Sequence, residues 1–125
     1  MILVDSDILI EISRGRDPRI VDAWEHIRDS EEVLLCSPVT VAELWHGARP
    51  EDHPVLKRLF GSLVCVPVDE EVGYRAGVYL RQYHKSHALA LGDALIAASA
   101  SLHQAQLWTR NRKHYPMKDV SFFRP

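Results

Sequence analysis

Five short apolar runs recur along the chain with helix-start signals between them, and this alternation leaves few folds open. The runs are Ile2 to Asp5, Val33 to Cys36, Leu63 to Val68, Gln106 to Thr109 and Val120 to Phe123. Each is too short and too unbroken for an amphipathic helix, so each reads as a strand. Asp17 with Pro18, and Ser37 with Pro38, set an N-cap beside a proline at the first helical position. The first pair opens a segment whose Ile20, Trp24 and Ile27 share one face; the second opens a helix to about His46, with Gly47 as its stop. Further helices are expected after Pro54, after Asp69, where Glu70 and Glu71 suit the positive end of the dipole, and from about Gly92 to His103. Strands alternating with helices imply crossover connections, hence a three-layer α/β fold: a central, mainly parallel sheet of about five strands flanked by helices.

Against this apolar pattern three acidic sites stand out. Asp5 and Asp7 interrupt Ile2 to Ile10, Glu43 lies inside Val39 to Trp45, and Asp93 is the only charged residue from Ala88 to Leu102. A carboxylate buried without a partner loses several kcal/mol of hydration, so three of them imply a shared cation. Carboxylate oxygens suit hard divalent ions such as Mg2+ or Mn2+, whose usual substrate is a phosphate ester. In open parallel sheets ligands bind beyond the carboxyl ends of the strands, where Asp5 ends the first strand and Asn111 follows the fourth. Each acid also has a plainer reading. Asp93 is placed to satisfy free amides in the first turn of its helix, Asp5 to bond the loop after it, Asp7 to cap a helix, and Glu43 to pair with Arg49 or Arg14.

Composition excludes little but sets limits. The 125 residues, 46% of them hydrophobic, suit one domain over residues 1–125 that buries roughly two-thirds of its unfolded surface. With 15 basic and 17 acidic residues the net charge is -2, so contact with a polyanion must rest on a local patch. No basic leader precedes the first apolar run and no stretch approaches the roughly 20 apolar residues of a membrane span, so a soluble, cytoplasmic protein is expected. Cys36 and Cys65 lie in apolar runs and read as buried free thiols. His84 and His87 lack a third ligand for zinc, and Trp24, Trp45 and Trp108 read as core anchors.

Four stretches carry a family resemblance: Ile2-Leu3-Val4-Asp5-Ser6-Asp7-Ile8-Leu9-Ile10, Ser37 to Gly47, Leu91-Gly92-Asp93-Ala94-Leu95-Ile96-Ala97-Ala98, and Leu107 to Tyr115. In order and spacing they resemble a PIN-domain ribonuclease of the VapC-like toxin class. The resemblance implies a PIN-like fold, catalytic and metal-binding roles for Asp5, Glu43 and Asp93, Mg2+ or Mn2+ as cofactor, and cleavage of single-stranded or looped RNA. It also implies a homodimer and a small cognate antitoxin as partner. Two positions depart from the usual pattern. Asp7 stands where Asn, Ser or Thr is common, and Asn111 where many members carry Asp; an amide there holds a metal-bound water and adds no charge. The Thr109 hydroxyl is expected to orient either Asp5 or a metal-bound water, and Asp7 either to add charge beside the site or to cap the next helix.

In such a site the ion lowers the pKa of a water that attacks phosphorus in line, so no side-chain nucleophile is required. Arg14 and Arg16 after the first helix, and Arg110, Arg112, Lys113 and His114 after the fourth strand, are placed to hold flanking phosphates, unless they form an ordinary solvated loop. Neutralising any of the three acids is expected to leave the metal-free fold as stable or more so, through relief of repulsion. Two alternatives stand beside this reading. Asp5-Ser6-Asp7 also resembles the acid pair of phosphohydrolases of the haloacid dehalogenase type, which would leave Glu43 and Asp93 unused; a non-catalytic RNA-binding relative is the other.

Overall fold

In the computed structural model, which describes residues 1–125, the opening apolar run divides at Asp5. Ile2–Val4 forms strand β1 and Ser6–Arg14 forms helix α1, whose N-cap is Asp5. The remaining elements are α2 (Pro18–Arg28), β2 (Leu34–Cys36), α3 (Pro38–His46), α4 (His53–Gly61), β3 (Val64–Cys65), α5 (Glu70–His87), α6 (Leu91–Leu102) and β4 (Gln106–Trp108). The start signals act as the sequence implies: Asp17 accepts from Arg19 N, Ser37 from Val39 N, and Asp69 from Val72 N. Gly15, at φ 63°, ends α1 in the left-handed region that only glycine adopts without strain.

The sheet is parallel throughout, in the order β3-β2-β1-β4. Successive strand residues face opposite layers. Leu3, Leu35 and Leu107 pack under α5 and α6, whereas Ile2, Val4, Leu34 and Trp108 pack against α1, α2 and α4. Ala94, Ala97, Ala98 and Ala100 are fully buried, and these small side chains let α6 lie close on the sheet. Gly92 extends that approach, since a Cβ there would sit 3.4 Å from Val39 of α3. The entrance of α6, which carries Asp93, is thereby drawn to the helix that carries Glu43.

Two expectations need correction. The sheet has four strands rather than five, because the Val120 to Phe123 segment joins β4 through a single bridge, Leu107 with Phe122. A turn closed by Val120 N on Met117 O precedes it, and only Leu107 exchanges backbone bonds with it, to Ser121 O and from Phe123 N. The second concerns Cys65, which is exposed rather than buried, because β3 is a two-residue edge strand. Cys36, on the inner strand, is buried.

Candidate active site

β1 has β2 on one side and β4 on the other, so the chain reverses its direction of sheet growth at the β1–β4 boundary. A crevice opens beyond the carboxyl ends of strands at such a point. Asp5 and Thr109 follow the two strands there, and Asp5 N bonds Trp108 O at 2.9 Å across the boundary.

Asp5 is buried and held on both oxygens. Its Oδ1 accepts from Ser6 N at 2.8 Å, while Oδ2 accepts from Thr109 Oγ1 at 2.9 Å and Tyr115 OH at 2.8 Å. Thr109 thus orients Asp5, and the loop-bonding role of Asp5 is met as well, since it caps α1. Tyr115 OH also lies 3.3 Å from Asp93 Oδ1, so one phenol spans two acids. Asp93 is partly exposed, and His114 Nδ1 stands 3.7 Å from its other oxygen. It does not cap its helix: the N-cap of α6 is Ala90, with no side-chain cap bond. Glu43 takes one contact, from Ser6 Oγ at 3.1 Å, and the same hydroxyl lies 3.2 Å from buried Thr40. Neither Arg49 nor Arg14 pairs with it, and Arg49 is engaged by Glu51 and Asp52.

The structure therefore brings Asp5, Glu43 and Asp93 to one rim, joined through Ser6 and Tyr115, but it corrects the expectation that all three are buried. Only Asp5 is; Glu43 is exposed and Asp93 intermediate. A rim open to solvent is what a polymeric substrate requires. Burial, with the charge of Asp5 adding, raises the Asp93 carboxyl above its ordinary value, against the opposing effects of His114 and Tyr115. Glu43 is also raised, by partial burial and the charges of Asp5 and Asp93, against the Ser6 hydrogen bond.

Asp7 is not the cap of α1. Its Oδ2 accepts from Arg110 N at 2.9 Å, Asn111 Nδ2 at 3.3 Å and Thr109 Oγ1 at 3.4 Å, so it ties the segment after β4 to the first turn of α1. Burial first, then the charge of Asp5, raises its pKa. Its Oδ1 is buried with no partner. Asn111 is exposed and engaged with Asp7 rather than set between Asp5 and Asp93.

The all-oxygen set of Asp5, Glu43 and Asp93 suits a hard cation: burial and neighbouring charge raise Glu43 and Asp93, and Asp7 beside them keeps one buried carboxylate oxygen unpaired. No three His, Cys, Asp or Glu side chains meet closely enough to enclose one ion. Glu43 and Asp93 are the more exposed of the three acids.

Sequence reasoning missed three residues, of which Ser6, bonded to both Asp5 and Glu43, is described above. Tyr115 is 3% exposed and its phenol is pushed up by burial and by the Asp5 and Asp93 charges. The signal for it was slight, a tyrosine closing the polar stretch after the fourth strand. Glu11 is buried on α1, and its Oε1 receives Arg16 at 2.8 Å and Arg110 at 3.2 Å. Its i,i+4 spacing from Asp7 along α1 was the available clue. Through Glu11 the two expected basic segments meet, two guanidiniums on one carboxylate. Arg112 instead lies over the Phe122 ring at 5.8 Å, and Lys113 is exposed. Arg14 and Arg16 line a cleft of about 510 Å3 with Arg49 and Glu43, over Ile10 and Leu44.

Asn111→Asp tests this geometry. It sets a second carboxylate where an amide now donates to Asp7, which should lower the metal-free melting temperature by a few degrees and tighten Mn2+ binding. Melting in chelator and Mn2+ titration check this; changes under about 0.5 kcal/mol in both would remove Asn111 from the site.

A PIN domain model matches residues 2–121 of the chain. Ribonuclease VapC10 of Mycobacterium tuberculosis is 41% identical over 120 residues, covering 94% of this chain and 87% of that protein. FitAcB from Neisseria gonorrhoeae, seen in a crystal structure, aligns with a TM-score of 0.73 at 28% identity over 99% of this chain and 97% of its own. VapBC2 from Rickettsia felis, bound to a DNA fragment from their promoter, aligns with a TM-score of 0.82 over 98% of both chains; at 18% identity that likeness is one of fold. The chain belongs to the PIN-domain family, in its VapC-like branch.

Proposed function

We propose that this chain is an endoribonuclease that acts as the toxin of a toxin–antitoxin pair and cuts RNA with a divalent ion, Mg2+ or Mn2+, held by Asp5, Glu43 and Asp93. The observation that carries the reading is the rim itself. Three carboxylates, one following β1 and the others on α3 and α6, share this rim with raised Glu43 and Asp93 values, and no Lys or Arg side chain pairs with any of them. Such a cluster is costly without a cation. The ribonuclease VapC10 likeness supports RNA as substrate, and the toxin–antitoxin complexes among the structural neighbours support a small antitoxin partner. A homodimer is part of the same proposal.

A bound divalent ion supplies a Lewis acid and a water of lowered pKa. The chain's own residues supply placement. Ser6 N, Thr109 and Tyr115 fix the direction of both Asp5 oxygens, so Asp5 is the rigid ligand. Glu43 and Asp93, the more exposed pair, would complete the set. Arg14, Arg16, Arg110, Arg112 and Lys113 hold flanking phosphates by charge, with Glu11 aligning Arg16 and Arg110. Asp7 positions the segment after β4, and Asn111, which donates to Asp7, would be the amide available to a water of a bound ion. No helix is long and apolar enough to cross a membrane.

Incubation with a fluorescent single-stranded RNA, with Mg2+ or chelator, beside para-nitrophenyl phosphate, tests the function. RNA cut only with metal and the phosphomonoester left intact is the expected outcome. Monoester hydrolysis would favour the phosphohydrolase, and RNA binding without cleavage the non-catalytic relative.

A further inference from the structure

Cys36 and Cys65 close their strands side by side. They are direct partners in the parallel β2–β3 register, and Val66 N bonds Cys36 O at 2.9 Å just beyond them. Facing residues of adjacent strands project to the same side, with backbones about 4.8 Å apart, inside the roughly 4.4–6.8 Å Cα range of disulfides. Both thiols are free, one buried and one exposed. Burial, with Cys65 adding, pushes the Cys36 thiol up to about 12, so Cys36 is inert on its own and Cys65 is the sulfur an oxidant reaches.

We propose that Cys36 and Cys65 are a thiol–disulfide modification site, oxidised by a low-molecular-weight disulfide such as oxidised glutathione. The Cys65 thiolate attacks one sulfur of that disulfide, forming a mixed disulfide and releasing one glutathione thiolate. Cys36 then loses its proton to solvent and attacks the Cys65 sulfur, expelling the second glutathione. Two cysteines are oxidised, one glutathione disulfide is reduced, and both protons are accounted for on the departing thiols.

The site has a structural consequence. Residues 37–64 hold α3 and α4, and every cleft-lining residue from Glu43 to Leu56 lies between the two cysteines. Ser37, next to Cys36, caps the helix that carries Glu43. A Cys36–Cys65 bond staples both ends of the segment that forms one cleft wall. This inference rests on the register and the thiols alone, independent of the proposed ribonuclease activity.

Treatment of the purified protein with oxidised glutathione, followed by intact mass and non-reducing peptide mapping, is the test. Expected are loss of two hydrogens, a linked Cys36–Cys65 peptide, a melting temperature higher by on the order of 10 °C, and reversal by dithiothreitol. A transient glutathione adduct on Cys65 should resolve about tenfold faster per pH unit from 7 to 9, as the Cys36 thiolate fraction grows. Cys36→Ala should trap that adduct. A lasting adduct on wild-type Cys65 or an intermolecular Cys65 dimer would overturn the proposal, and these readings on the wild-type protein stand whether or not the variant folds.

Discussion

Asp93→Asn should abolish RNA cleavage by on the order of a hundredfold or more while leaving the metal-free protein as stable as the wild type or more so. The asparagine keeps an acceptor for Tyr115 and removes a charge that faces Asp5 and Glu43. Asp5→Ala should be as inactive but should also unfold more easily. It strips the acceptor from Ser6 N, Thr109 and Tyr115, and an unsatisfied buried donor costs about 1–3 kcal/mol, with a lost cap about 1 more. The equal treatment of the three acids that sequence alone suggests therefore does not hold, because Asp5 is a structural acceptor as well as a charge. Kinetics on a labelled RNA beside melting in chelator checks both halves; Asp93→Asn with wild-type turnover would remove that acid from the chemistry.

The second large effect is the pH dependence of metal binding. Asp7, Glu43 and Asp93 have carboxyl values raised above their ordinary 3.8, 4.5 and 3.8. A raised group favours the fold while protonated, so its contribution is fully present below the ordinary value and is lost as pH rises through the raised one. In chelator, the stability of wild type relative to Asp93→Asn should therefore fall from about pH 4 towards neutrality. Mn2+ should reverse the trend, since the ionised acids are its ligands. At a hundredfold excess over Kd the gain is about 2.7 kcal/mol, a melting shift on the order of 10 °C near neutral pH and far less near pH 4. Thermal scans across pH with chelator or Mn2+ measure it.

The fold was legible because its signals are local. Caps at Asp17, Ser37 and Asp69 and the short apolar runs placed the elements, and the tendency of ligands to bind beyond the carboxyl ends of parallel strands put Asp5 at the crevice. The segment at Val120 was not legible, since a single bridge and a full strand share the same apolar pattern. Exposure also escaped: Glu43 sits among apolar neighbours in sequence, yet its face of α3 opens on the rim. Tyr115 escaped because its placement depends on the irregular path after β4, where a short 3-10 turn at Arg112–His114 aims a buried ring at two acids. The pairing of Cys36 with Cys65 depends on strand register, which no local pattern states.

Titration of Mn2+ into the chelator-treated protein, wild type beside Asp93→Asn, tests the central claim most directly. A saturable binding isotherm in the wild type that weakens at least about tenfold in Asp93→Asn is the result this account predicts. Absence of binding at millimolar Mn2+, or equal binding by both proteins, would contradict it.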